Sequence, residues 1–399
     1  MLVHRRKFLQ LGSIASSAMI IPKFLKAFEG HGRQLGGNKI LVVLQLSGGN
    51  DGLNTVIPIR NDIYYRERPG LGISKEKVLL LDDETGLHPS LTHLKTLYDE
   101  GNLSILNDVG YPNPDRSHFR SMDIWQTASK SDEYLHSGWL GRYLDAQCEG
   151  CSKPTQILEM DDMLSLAMSG EQMKGLALRD PKRLYETCQD PFFKDLINDN
   201  PHEKADDPAS YLYKVMAESM SSADYIYQQS KLHPSFTIYP NSEIGKDLKT
   251  IASLISSDIN TRVYYVSLGS FDTHVGQQAR QEKLFSDLNN AIKPFTDDLK
   301  VSRRFEDVLM ISFSEFGRRV SENGSGGTDH GTANNMFLIS GGLKKKGILN
   351  EMPDLNHLTD GDLNHRLDFK QVYATVLKKW LQTDDRKILG RQYDYLDFI

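Results

Sequence analysis

"KILVVLQLSGGNDG" occupies residues 39–52 and carries the pattern from which the architecture follows. The first part, Lys39 to Leu46, is apolar on both alternating side-chain faces. A strand of that composition is covered on both sides, as in a parallel or mixed sheet. The run then stops in glycines, Asn50 and Asp51, which turn the chain into a loop. The same run-then-loop pattern recurs in "LSILNDVG" (Leu103 to Gly110), "RVYYVSLG" (Arg262 to Gly269), "DVLMISFS" (Asp307 to Ser314) and "NMFLIS" (Asn335 to Ser340). Helical periodicity separates them, clearest over Gln277 to Lys300, where Leu284, Leu288, Ile292, Phe295 and Leu299 recur at spacings of three and four. Strands alternating with helices predict an α/β fold, a mixed and mostly parallel sheet with helices on both faces. Ligands bind such sheets at the loops beyond the strands' carboxyl ends.

From about residue 153 to 240 the pattern changes. The stretch is rich in methionine, is broken by "DDM", "NDNPHEKADDP" and "KLHPS", and contains no strong strand. It reads as an insertion or cap within a single domain over 31–399, with a helix near Tyr211 to Lys231. The amphipathic "RLDFKQVYATVLKKWL" (Arg366 to Leu381) is predicted to form a helix that closes the sheet.

A chain of 399 residues with 39% hydrophobic content can bury a sizeable core. Its net charge of −6 provides no basic field for nucleic acid. The first thirty residues pair Arg5 and Arg6 with Phe8 and Leu9 and continue in a short apolar stretch to Ile21. That order resembles a twin-arginine export signal, and the stretch is shorter than the roughly 20 residues a membrane span needs. It predicts the twin-arginine export machinery as a partner, a periplasmic, cell-surface or secreted location, and no transmembrane span in the mature chain. A basic helix packed on the domain and a retained anchor are the alternatives. Three cysteines are too few to staple a secreted fold. Cys148 and Cys151 read as a local disulfide or two free thiols, and Cys188 is left over.

The loops carry the chemistry. Asp51 follows the first strand. Asp115, Arg116, Ser117 and His118 follow the second, and Asp272 and His274 follow the third. Glu315 and Arg318 follow the fourth, while Asp329 and His330 lead into the fifth. Carboxylates and imidazoles without thiolates on several strand ends are what a one- or two-metal hydrolytic site requires. Each also has a plainer reading. Asp51 serves as a turn residue, Ser117 as a helix N-cap, His274 as a cap and Asp329–His330 as a loop pair. His88, in "LHPSL", is a further ligand candidate or a structural histidine.

The motifs "LQLSGGNDGLNTVIP", "LHPSL", "RSHF", "FDTH", "SEFGR" and "GTDHGT" resemble the bacterial domain-of-unknown-function family numbered 1501. That family looks like a divergent branch of the alkaline phosphatase and sulfatase superfamily. The resemblance implies a three-layer α/β sandwich and an exported metal-dependent hydrolase of phosphate or sulfate esters. The alternative it leaves is an inactive member that binds a glycan or an envelope partner. It implies a small-molecule or glycan ester as substrate and a divalent metal, zinc foremost, with manganese, calcium or magnesium as alternatives. Carried over residue by residue, the metal ligands would be Asp51, Asp272, His274 and His330, with Glu315 in the place of an Asp; Asp329, beside His330, is a ligand candidate from the loop itself. Ser117 would be the nucleophile, and Arg116 and Arg318 would neutralise the ester's anionic oxygens. Glu315 stands where the superfamily has an Asp beside a His, and here its neighbour is Phe316. Asp272 and His274 are also closer together than the usual pair, so what the resemblance implies here is one metal, or an altered chemistry, rather than a full two-metal site.

Overall fold

The computed structural model describes residues 39–147, 154–192, 195, 208–235 and 237–399. The expected export signal and the Cys148–Cys151 pair lie outside the described residues, as does part of the 153–240 stretch. By its contacts the chain divides into two compact units, one of 38–135, 236–249 and 265–399, the other including 136–235 and 250–264.

The larger unit is built on the expected strands. They are β1 (Ile40–Leu46), β2 (Leu103–Gly110), β3 (Val263–Leu268), β4 (Val308–Phe313) and β5 (Asn334–Ile339), with short β6 (Gly347–Ile348) and β7 (Leu367–Asp368). The boundary between the units falls within β3. Every residue of β1, β2, β4 and β5 is buried, as their unbroken apolar runs require. β1 runs parallel to β4, with Ile40 opposite Val308 and Gln45 opposite Phe313. β5 lies between β4 and β2 and is antiparallel to both. β6 and β7 pair with β2 in parallel. The sheet is therefore mixed and mostly parallel, in an α/β fold. The reversed β5 puts its amino end at the edge where β1, β2 and β4 finish. β3 finishes there too, because Ser47 donates to Leu268 O and Phe271 donates back to Ser47 O.

The principal helices of this unit are α1 (Thr92–Asp99), α2 (His118–Thr127), α3 (Gln277–Val301) and α4 (Phe369–Thr375). In α3, Leu288, Ile292, Phe295 and Leu299 are buried as expected, whereas Phe285 takes the core position assigned to the half-buried Leu284. The C-terminal element begins later than its periodicity suggests. Leu367 and Asp368 extend the sheet, Asp368 accepts the Lys370 N–H at 3.0 Å as an N-cap, and a π-helical turn (Val376–Trp380) follows α4. Trp380 Nε1 then donates to Ile40 O at 2.9 Å, fastening the C-terminal segment to β1. Trp125 of α2 stacks between Phe313 and Phe369, and its Nε1 donates to Glu315 O at 2.9 Å. That bond fixes the chain where it leaves β4.

The smaller unit holds helices over Trp139–Gln147, Pro181–Cys188 and Pro208–Leu232, and a parallel pair of short strands, Ile157–Glu159 and Leu176–Ala177. Among the described residues no helix is long and apolar enough to cross a membrane.

Candidate metal centre

Five loops meet at the sheet edge where β5 begins, and two glycines let them come that close. Gly48 has φ of +119°, and a Cβ there would lie 2.4 Å from Asp272 N. A Cβ on Gly327 would lie 2.3 Å from the His274 backbone carbonyl. Arg318 binds the loops together. Its enclosed guanidinium donates to the carbonyls of Gly48, Gly49, Phe271 and Thr328 and to Asp272 Oδ1.

Asp272 is the centre of the cluster. Its Oδ1 lies 2.8 Å from Arg318 Nη2, 3.0 Å from His274 Nε2 and 3.2 Å from His330 Nε2. Its Oδ2 is 3.6 Å from His118 Nε2. His274 Nε2 and His330 Nε2 are 3.0 Å apart. The other nitrogen of each ring is engaged from behind. His118 Nδ1 lies 2.8 Å from Glu315 Oε1, His330 Nδ1 2.9 Å from Arg116 O, and His274 Nδ1 3.2 Å from Asp329 Oδ1.

These partners fix the tautomers. A backbone carbonyl only accepts, so His330 Nδ1 carries the hydrogen and the neutral ring presents a lone pair at Nε2. The carboxylates of Glu315 and Asp329 impose the same choice on His118 and His274. Three imidazole Nε2 atoms then face the Asp272 carboxylate at 3.0–3.6 Å, and each can either carry a proton toward Asp272 or, unprotonated, offer its lone pair to a cation. A cation satisfies such an arrangement. His118, Asp272 and His330 bring their ligand atoms within 4.8 Å of one another. Nitrogen and oxygen donors without sulfur, each imidazole held through its far nitrogen, fit a divalent ion such as zinc.

Burial raises the Asp272 carboxyl pKa, but bonds from Arg318 and His330 and the charges of Arg318 and His274 outweigh it and leave it at about 2. Asp272 is thus ionised at any working pH. The hydrogen bond to Glu315 raises the His118 pKa above its ordinary value. Burial lowers that of His330, against the bonds to Arg116 O and Asp272, so His330 is neutral and ready to ligate near neutral pH. The Asn323 amide and His274 lower the Asp329 carboxyl.

Asp272, His274 and His330, named from the sequence, are therefore together. His118 joins them, though the sequence placed it only in the loop after β2. The signal was its position, the first residue of α2. Side chains of a helix tilt toward its N-terminus, so an imidazole there projects past the helix end. Glu315 and Asp329 hold imidazoles from behind, through the Nδ1 atoms of His118 and His274. Asp51 is buried, with its Oδ2 accepting from Arg68 Nη1 at 2.6 Å and from Gln277 Nε2. Arg318 is fully enclosed. Arg116 is 39% exposed and shares the buried Asp362 with Arg319. Ser117 is the exposed N-cap of α2, and its side chain makes no capping bond. His88 is buried edge-on to Phe285, and burial pushes its pKa down to about 4.

A family model described as a protein of unknown function (DUF1501) matches residues 104–394. The chain belongs to this family. No curated protein matches it. Among solved structures, the chain is similar to the lipoteichoic acid synthase LtaP from Listeria monocytogenes, with 9% identity, TM-score 0.38, and 94% of this chain and 78% of that one covered. It is similar to the PsFucS1 sulfatase from Pseudoalteromonas sp., with 11% identity, TM-score 0.40 and coverage of 97% and 74%. A third is the C-terminal periplasmic domain of EcEptC from Escherichia coli in complex with Zn, with 10% identity, TM-score 0.39 and coverage of 77% and 75%. What those proteins bind or act on belongs to them. In this DUF1501 chain the four side chains are partly exposed, 35% for His118, 47% for Asp272, 40% for His274 and 21% for His330. An ion held there is within reach of an external ligand.

Proposed function

We propose that this DUF1501 chain is an exported, metal-dependent hydrolase of phosphate or sulfate esters, on the alkaline phosphatase and sulfatase plan. The observation that carries the reading is the convergence of His118, His274 and His330 Nε2 on Asp272. Those four residues would hold the ion, zinc foremost. When bound, the ion would lower the pKa of a hydroxyl or water and offset the charge of an anionic ester. Ser117 supplies the hydroxyl, with its Oγ free of any capping bond at the start of α2. That helix end favours an anion by roughly 0.3–1 kcal/mol, too little to ionise a serine unaided. Arg116 and Arg319 face the single carboxylate of Asp362, an excess of one positive charge over those three groups. Arg116 is the candidate for binding an ester's anionic oxygens, because its own carbonyl is held by His330.

Binding of a glycan or envelope partner without turnover is the second reading. It draws on the enclosure of Arg318 and the commitment of Asp51 to Arg68, which remove two groups assigned to catalysis or metal binding. Purified mature protein, loaded with zinc, manganese, calcium or magnesium, separates the two when offered nitrophenyl phosphate and nitrophenyl sulfate. Turnover that requires metal supports the hydrolase. A protein that binds metal and cleaves neither ester sinks it.

A further inference from the structure

Gln277, the first residue of α3, is fully buried, and its amide touches three of the loops that meet at the centre. Its Oε1 accepts from Thr328 Oγ1 at 2.6 Å and from Thr273 Oγ1 at 3.2 Å, while its Nε2 donates to Asp51 Oδ2. Those partners fix the orientation of the amide. A carboxylate paired with a guanidinium only accepts, so the nitrogen end faces Asp51, and the oxygen, with its two lone pairs, takes both hydroxyls. Arg68 holds the same Asp51 oxygen at 2.6 Å and secures the far end. Thr273 stands between Asp272 and His274, and Thr328 directly precedes Asp329 and His330. Both threonines are buried. One oxygen atom therefore ties the loop that carries two of the candidate ligands to the loop that carries a third. The backbone bond between the same residues, Thr328 N to Thr273 O, is 3.4 Å long and correspondingly weak.

We propose that Gln277 is a positioning residue of the metal centre, whose amide, keyed by Asp51, clamps the His274 loop to the His330 loop. The proposal rests on the metal reading of the cluster and adds the device that holds its two halves in register. It also gives Asp51 a part in the centre other than ligation, through the amide it orients. Zn–N bonds of about 2.0–2.1 Å leave little latitude in the spacing of ligand nitrogens. The His274 and His330 Nε2 atoms, 3.0 Å apart, belong to the two loops that the clamp joins.

A clamp is broken by the loss of either arm, so its arms are not additive, and that separates it from two independent structural bonds. Thr273→Val and Thr328→Val keep the shape and remove the hydroxyl. Each should weaken zinc binding about tenfold, the lower end for groups that orient ligands, in competition with a chromophoric chelator. The double variant should bind zinc about as weakly as either single one. Thr328→Ser, which retains the hydroxyl, should bind as the native chain does. Gln277→Met should match the double variant, and if it fails to fold, the threonine variants decide alone. Unchanged zinc affinity in the valine variants, additive losses, or a serine variant as weak as the valine overturns the clamp. Failure of the native chain to bind zinc sinks the metal reading instead, and the clamp is then read in the metal-free chain from its histidine ring signals by NMR. Thr273→Val should shift those of His330, and Thr328→Val those of His274, each across the clamp to the opposite loop. Rings that stay unmoved in both variants overturn it.

Discussion

Glu315 Oε1 stands 2.8 Å from His118 Nδ1, and the same oxygen accepts the Gly48 N–H at 2.8 Å. One buried carboxylate atom thus orients a candidate metal ligand and anchors the loop after β1. Replacing Glu315 by Gln keeps the shape but removes the charge that sets the His118 tautomer. Losses of this kind cost 10–100-fold in metal affinity. We expect Glu315→Gln to weaken zinc binding by about that factor, measured by competition with a chromophoric chelator. An unchanged affinity would remove Glu315 from the site.

His330→Ala should empty the centre while leaving the sheet folded, because its ring is partly exposed and its neighbours are loop residues. Elemental analysis after dialysis reads the outcome, and a full complement of metal would refute the ligand assignment. Ligation needs unprotonated imidazoles, so zinc affinity should fall on acidification. His118, whose pKa is raised by Glu315, extends that proton competition to higher pH than an ordinary histidine would.

Arg318→Met should act on stability before it acts on chemistry. The guanidinium is buried, and its removal strands four carbonyls and the Asp272 carboxylate. Breaking such an enclosed network costs about 3–5 kcal/mol. The melting temperature should drop together with metal binding. Normal melting with lost turnover would instead show Arg318 acting on substrate.

Ser117→Ala has the opposite signature. A serine that caps its helix is worth about 1 kcal/mol, but this hydroxyl makes no such bond and should cost less. Turnover of any ester the protein cleaves should fall by several orders of magnitude at near-normal melting. Retained turnover would leave water as the nucleophile.

In the smaller unit, burial raises the Glu159 carboxyl from 4.5 to about 8, with the Ser165 N–H as one of its partners. A raised folded-state pKa means that stability is fullest below the unfolded value and is lost as pH rises through the folded one. Denaturant unfolding should show a decline between about pH 4.5 and pH 8, on the order of 3–5 kcal/mol in full. Glu159→Gln, neutral throughout, should flatten it. An unaltered pH profile in the variant would exclude Glu159 as its source.

The main strands and the chemical types in the loops were legible in the order of residues alone. Apolar runs bounded by glycine and polar residues have a local cause, burial on both faces, and Leu103–Gly110 was legible to the residue. Asp272, His274 and His330 were readable as candidate ligands because imidazoles and carboxylates gather on several strand ends, although each alone has a plainer use. Which of these groups meet depends on long-range packing. An apolar run looks the same in either direction, and the reversal of β5 between β4 and β2 is what carries Asp329 and His330 to the edge shared with Asp272. Whether a charge serves a ligand or the fold is likewise set by its partner. Asp51 finds Arg68 17 positions on, Arg318 finds Gly48 270 positions away, and His118 finds Glu315 197 positions away. Such partners are chosen by sheet register and loop packing, and neither leaves a local mark in the order of residues.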